Sequence, residues 1–66
     1  MADRVPSNEV QKVFAMLTAE FEDASTIAAG VQRVQTRARA KRALRSIRKV
    51  ARRTEQLLDR LEVLLE

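Results

Sequence analysis

Residues 33–53 read RVQTRARAKRALRSIRKVARR, and ten of the protein's thirteen lysines and arginines stand there with no Asp or Glu among them. Outward from this block the sign reverses. Residues 1–23 hold two basic and five acidic groups and residues 54–66 hold one and four, so a centre of +10 lies between two flanks of −3 each. The net charge of +4 hides that pattern.

A block of like charge commonly marks a disordered tail, because a self-repelling polar segment buries too little apolar surface to offset its ordering entropy. Here, however, the apolar residues between the cations keep helical spacing. With Ala40 at heptad position a, Ala40, Ala43, Ile47, Val50, Thr54, Leu57, Leu61 and Leu64 recur at alternating intervals of three and four. Leu44, Ala51, Leu58 and Leu65 widen the stripe to an a/d/e face. Lys41, Arg42, Arg45, Arg48, Lys49 and Arg52 fall at b, c and f, on the opposite side. The spacing predicts one long helix, apolar on one face and cationic on the other, with the basic block alone spanning about 30 Å.

Composition agrees. One Gly, one Pro and two aromatics among 66 residues predict an all-α chain. Without Cys there are neither disulfides nor thiolate metal sites, and without His the usual general base and the commonest transition-metal ligand are missing. We therefore expect no enzyme, no catalytic residue, no metal and no cofactor. The length allows one domain with a small core, read as a flexible lead over residues 1–6 and a single helical domain over 7–66. No apolar run approaches the roughly 18 to 20 residues of a membrane span, and the start Met1-Ala2-Asp3-Arg4-Val5-Pro6 lacks the apolar centre of a signal peptide. A soluble cytoplasmic protein is the expectation, with neither a membrane nor a small-molecule substrate as partner.

Pro6 with Ser7 or Asn8 predicts a helix start, Gln11 following Asn8 by three positions. Val10, Phe14, Leu17, Phe21, Ala24, Ala28 and Val31 then form a stripe that would carry both aromatics into a core. Two places suit the turn. Asp23-Ala24-Ser25-Thr26 offers capping side chains, and Gly30 can take a left-handed cap without steric cost, placing the turn within 30–36. The break at 23–26 is preferred, because Ile27, Val31, Val34 and Ala38 run smoothly into the second helix; Gly30 then sits mid-helix at a cost of about 1 kcal/mol. A helical hairpin follows, with a short first helix of roughly 16 residues and a long basic second one of about 40.

Such unequal arms leave apolar surface over. We expect a homodimer or higher homo-oligomer, a helical bundle closed by Leu57, Leu58, Leu61, Leu64 and Leu65, while Val63 and Met16 fall on nominally exposed sides. An alternative ends the central helix at Arg53 and lets Thr54 cap a third, giving the short-long-short plan of the core histones. Against it, no breaker lies between Lys41 and Glu66.

Glu55, Asp59 and Glu62 lie along one helix face and do not converge on a point, so they read as solvated groups or counter-charges for Arg52 and Arg60 rather than as a cation site. Glu20, Glu22 and Asp23 read the same way. No Ser or Thr has a His, no Gly-rich loop exists, and Lys12, Lys41 and Lys49 have nothing beside them to make them nucleophiles.

The cations carry the functional signal. A solvated polar face ordinarily mixes signs, whereas ten like charges repel and call for an anionic partner. Arg33, Arg37, Arg39, Arg42, Arg45, Arg48, Arg52 and Arg53 outnumber Lys41 and Lys49, and the planar arginine fork suits phosphate. The block holds no aromatic to stack on bases, and Gln32 and Gln35, which could touch base edges, are a weak signal of sequence readout. Double-stranded DNA, gripped by its backbone with little sequence choice, is the expected partner. The rival from another class is an adaptor or inhibitor whose arginine face docks on an acidic protein. A helix lying on anionic lipid fits less well, for want of Trp or Tyr and because the last third is acidic.

At Gln32-Arg33-Val34-Gln35-Thr36 and at Ile47-Arg48-Lys49-Val50-Ala51-Arg52-Arg53 the chain resembles the bacterial linker-histone-like nucleoid proteins, the resemblance covering residues 9–55. Similar too are the amphipathic helix Val10 to Phe21 and the small residues Ala28-Ala29-Gly30 before a basic helix. The resemblance implies DNA binding and compaction in the nucleoid, carried to Arg33, Arg48, Lys49, Arg52 and Arg53. The chain departs from that family in a longer interval between the two motifs, in Gln35 where a basic residue would fit, and in an acidic leucine-rich end in place of a Lys, Ala and Pro-rich tail.

Overall fold

The structure, a computed structural model, describes residues 7–33 and 36–66. Two helices, α1 Ser7–Gly30 (24 residues) and α2 Arg37–Leu65 (29 residues), form an all-α hairpin 56 Å long and about 15 Å across. Their direction follows from two cross-links: Glu9 meets Arg60 and Glu20 meets Arg53, so the start of α1 lies beside the end of α2.

The turn falls at the later of the two candidate places. α1 continues through Asp23-Ala24-Ser25-Thr26, which corrects the preferred break there and makes the arms nearly equal. Packing outweighs propensity at this point: Ala24, Ile27 and Val31 are each half-buried, whereas Ser25 and Thr26 face solvent, where a polar side chain costs a helix little. The helix ends by tightening, with Val31 N–H donating to Ala28 O at 3.2 Å and Gln32 N–H to Ala29 O at 3.4 Å. Gly30 closes α1 without a positive φ, so its left-handed option is not used. Thr36 caps α2 from an extended conformation (φ −116°, ψ 140°), its hydroxyl accepting from Arg39 N–H at 3.3 Å. Val34 and Gln35 lie outside the described residues, as does the lead 1–6.

Unbroken helix from Arg37 to Leu65 removes the short-long-short alternative, since Thr54 sits inside α2. Core residues cluster where the chain ends meet. Val13, Leu17 and Leu61 are buried, with Val10, Leu57 and Leu64 packed against them, and Ala43 and Val50 extend the seam toward the turn.

α2 turns the a/d part of its expected stripe inward from Ala43 to Leu64, whereas Ala40 and the e positions Leu44, Ala51, Leu58 and Leu65 stay exposed, and α1 is rotated from the expected one. Its inward series is Val10, Val13, Leu17, Glu20, Ala24, Ile27 and Val31, so Phe14 and Phe21 stay more than half exposed and supply no core. The two series share Val10, Leu17, Ala24 and Val31 and differ by one residue between. The observed register brings Glu20 to Arg53 and turns Ile27, larger than Ala28, inward.

Candidate nucleic-acid interface

Helical geometry sorts the basic residues. Successive residues turn by about 100°, so with Val50 facing α1, Arg37, Lys41, Arg45, Arg48 and Arg52 point away from it. Arg42, Lys49 and Arg53 lie on one flank, which α1 continues with Met16, Glu20 and Asp23. Arg39 and Arg42 border a shallow groove beside Val31, Ala43 and Ser46, and Arg33 stands in the turn. All ten are exposed. The other flank carries a different chemistry: Phe21, Ala24, Ile47, Ala51 and Thr54 line an apolar groove there. The hairpin is thus cationic on its outer edge and one flank, and apolar on the other.

Among the described residues, ion pairs involve one member of the block alone. Arg53 Nε donates to Glu20 Oε1 at 2.9 Å, and the second pair is Arg60 Nη2 to Glu9 Oε2 at 2.7 Å, outside the block. Both cross between helices, so Arg60 takes its counter-charge from α1 and not from the acidic residues of its own helix. The Arg60 guanidinium, by its hydrogen bond and its charge, holds the Glu9 carboxyl below its usual value. For the other nine cations of the block no carboxylate lies within 4 Å among the described residues.

Comparison with family models, curated proteins and solved structures finds no significant match. The resemblance to linker-histone-like proteins therefore rests on its two short motifs. Of these, Ile47 to Arg53 lies in mid-α2, whereas Gln32 and Arg33 lie in the turn.

The five leucines assigned to dimerisation divide. Leu57, Leu61 and Leu64 face α1 and are used inside the hairpin, whereas Leu58 and Leu65 remain 42% and 49% exposed. Sequence reasoning missed Thr36 as the cap that starts the basic helix and Glu20 as the partner of Arg53. The signal for Thr36 was present, a Thr immediately before the first helical residue. Glu20–Arg53 depends on the register of two helices, and no local pattern encodes that. No described helix is long and apolar enough to cross a membrane.

Proposed function

We propose that the protein binds double-stranded DNA through its phosphate backbone, with little sequence choice, as a small nucleoid-associated or architectural protein. One observation carries the reading: ten exposed cations from the turn along the outer edge and one flank of α2, nine of them without a carboxylate partner among the described residues. Held on a helix at fixed spacing, they repel one another until an anion of matching density approaches. From Arg37 to Arg53 that surface runs about 24 Å, and phosphates recur about every 3.4 Å along a DNA strand, so several engage together and release their condensed counterions. Arginine forks favour phosphate oxygens, and the lack of aromatics in the block disfavours stacking on single strands.

The test is a salt titration with a random-sequence duplex, followed by fluorescence anisotropy. Binding near micromolar at about 0.15 M salt is expected, with a log-log slope of several units. Replacing Arg45, Arg48 and Arg52 together by Gln is expected to leave the helical circular dichroism intact and to reduce that slope by about 2.7, at about 0.9 per phosphate contact. Unchanged binding in the triple variant overturns the role of this surface. Absence of binding by the unaltered protein overturns the DNA reading and turns the search to acidic protein partners.

A further inference from the structure

The apolar flank is the feature the cationic surface leaves unexplained. Phe21, Ala24, Ile47, Ala51 and Thr54 share one groove. Positions seven residues away fall on the same side of their helices, which adds Phe14 to Phe21 on α1, and Leu44 and Leu58 to Ala51 on α2. Phe14, Phe21, Leu44 and Leu58 are 51%, 58%, 50% and 42% exposed. Single exposed apolar residues are ordinary; four of this size in one strip mark a contact surface. Among the described residues the buried core is Val13, Leu17, Ala43, Val50 and Leu61, little for a chain this short, and that argues for burial from outside.

The charge pattern says what covers it. Along the rim of this flank Arg37 and Arg48 precede Ala51, and Glu55 and Glu62 follow it. The same polarity holds for the whole hairpin: the turn end carries the basic block, and the open end carries Glu9, Asp59, Glu62 and Glu66 against Lys12 and Arg60, the last paired with Glu9. We infer that the flank is covered by a second copy of this chain, packed antiparallel, so that the turn end of each hairpin lies on the open end of the other. A two-fold axis near Phe21 and Ala51 sends Glu55 toward the partner's Arg48 and Glu62 toward the partner's Arg37, and two-fold symmetry repeats both pairings. A parallel arrangement would bring two basic blocks together. Four helices then enclose one core, while Lys41, Arg45 and Arg52 on the outer edge stay free. This inference stands on the flank and the charges, and does not rest on the DNA reading.

Sedimentation equilibrium of the unaltered protein, at tens of micromolar and moderate salt without nucleic acid, should give twice the chain mass of 7.5 kDa. A single-chain mass, which would leave the flank to an unrelated partner, overturns the inference, as does a mass above two chains. Phe21→Gln should return the mass to one chain, and Met16→Gln, on the opposite flank, should leave two. A Phe21→Gln protein that stays helical and dimeric overturns the choice of flank. Orientation is read from labels beside the apolar strip: the chain has no cysteine, so exchanging the exposed Gln11→Cys or Ser25→Cys, with the mass of each labelled variant confirmed at two chains, places one spin label per copy. Gln11 is ten residues from Phe21, so its two labels should lie about 30 Å or more apart, and those at Ser25 closer. Gln11 labels within about 15 Å, as parallel packing at ordinary helix spacing requires, refute the antiparallel arrangement.

Discussion

The two halves of the hairpin do different work. At the open end Val13, Leu17 and Leu61 are buried, Val10, Leu57 and Leu64 close around them, and Glu9 is tied to Arg60. Toward the turn the seam thins to Ala43 and Val50, while the surface fills with cations. Cohesion and charge are thus kept apart along the molecule, and the lesson is physical: a like-charged surface costs least where it does not have to hold the fold together.

That contrast can be broken most forcefully at Leu61. Leu61→Ala should destabilise the hairpin by about 2 to 5 kcal/mol, read from chemical denaturation. The same truncation at half-exposed Leu44, under conditions where the chain is monomeric, should cost well under half as much. Equal losses would mean that cohesion is not concentrated at the open end. Next comes the cap of the basic helix. Thr36→Ala removes the acceptor for Arg39 N–H and should cost about 0.5 to 2 kcal/mol, with the loss of amide protection confined to the first turn of α2.

Smaller, and of opposite sign, is Gly30→Ala. A methyl there meets nothing within 4 Å and the backbone is not left-handed, so the variant should gain up to about 1 kcal/mol in thermal unfolding. The smallest effect belongs to the Glu9–Arg60 pair. Because Glu9 has a lowered pKa in the folded chain, its contribution is present above the ordinary value of 4.5 and is lost as the pH falls through the folded value. Glu9→Gln should flatten stability against pH in that acid window and leave it unchanged where Gln and the protonated carboxyl are equivalent. An unaltered pH profile would remove the pair from the account.

How much of this was legible follows from which interactions are local. The stripe from Ala43 to Leu64 and the cations opposite it recur with helical period, so the fold class and the long basic helix could be read directly. Position of the turn could not: Ser25 and Thr26 resemble caps locally, and only contact of Ile27 and Val31 with the distant half of the chain makes continued helix the better state. The same limit hid the true inward face of α1. Val13 with Phe14, and Ile27 with Ala28, are adjacent apolar pairs, and periodicity alone does not say which member turns inward. The exposed side of the basic block was evident; the apolar flank beside it became visible once both Phe residues were found outside the core.

The placement of the core also fixes the order in which the chain can become itself. Closing a short loop is cheap, yet near the turn the two helices bury little between them, while the Glu9–Arg60 link joins residues 51 apart. Zipping outward from the turn gains little with each step, and the reward arrives only when the last turns of α2 reach the first turns of α1. Folding should therefore be all-or-none, with no half-closed hairpin accumulating. A chain cut short before Leu57 would keep every cation of the basic block and lose the scaffold that displays them.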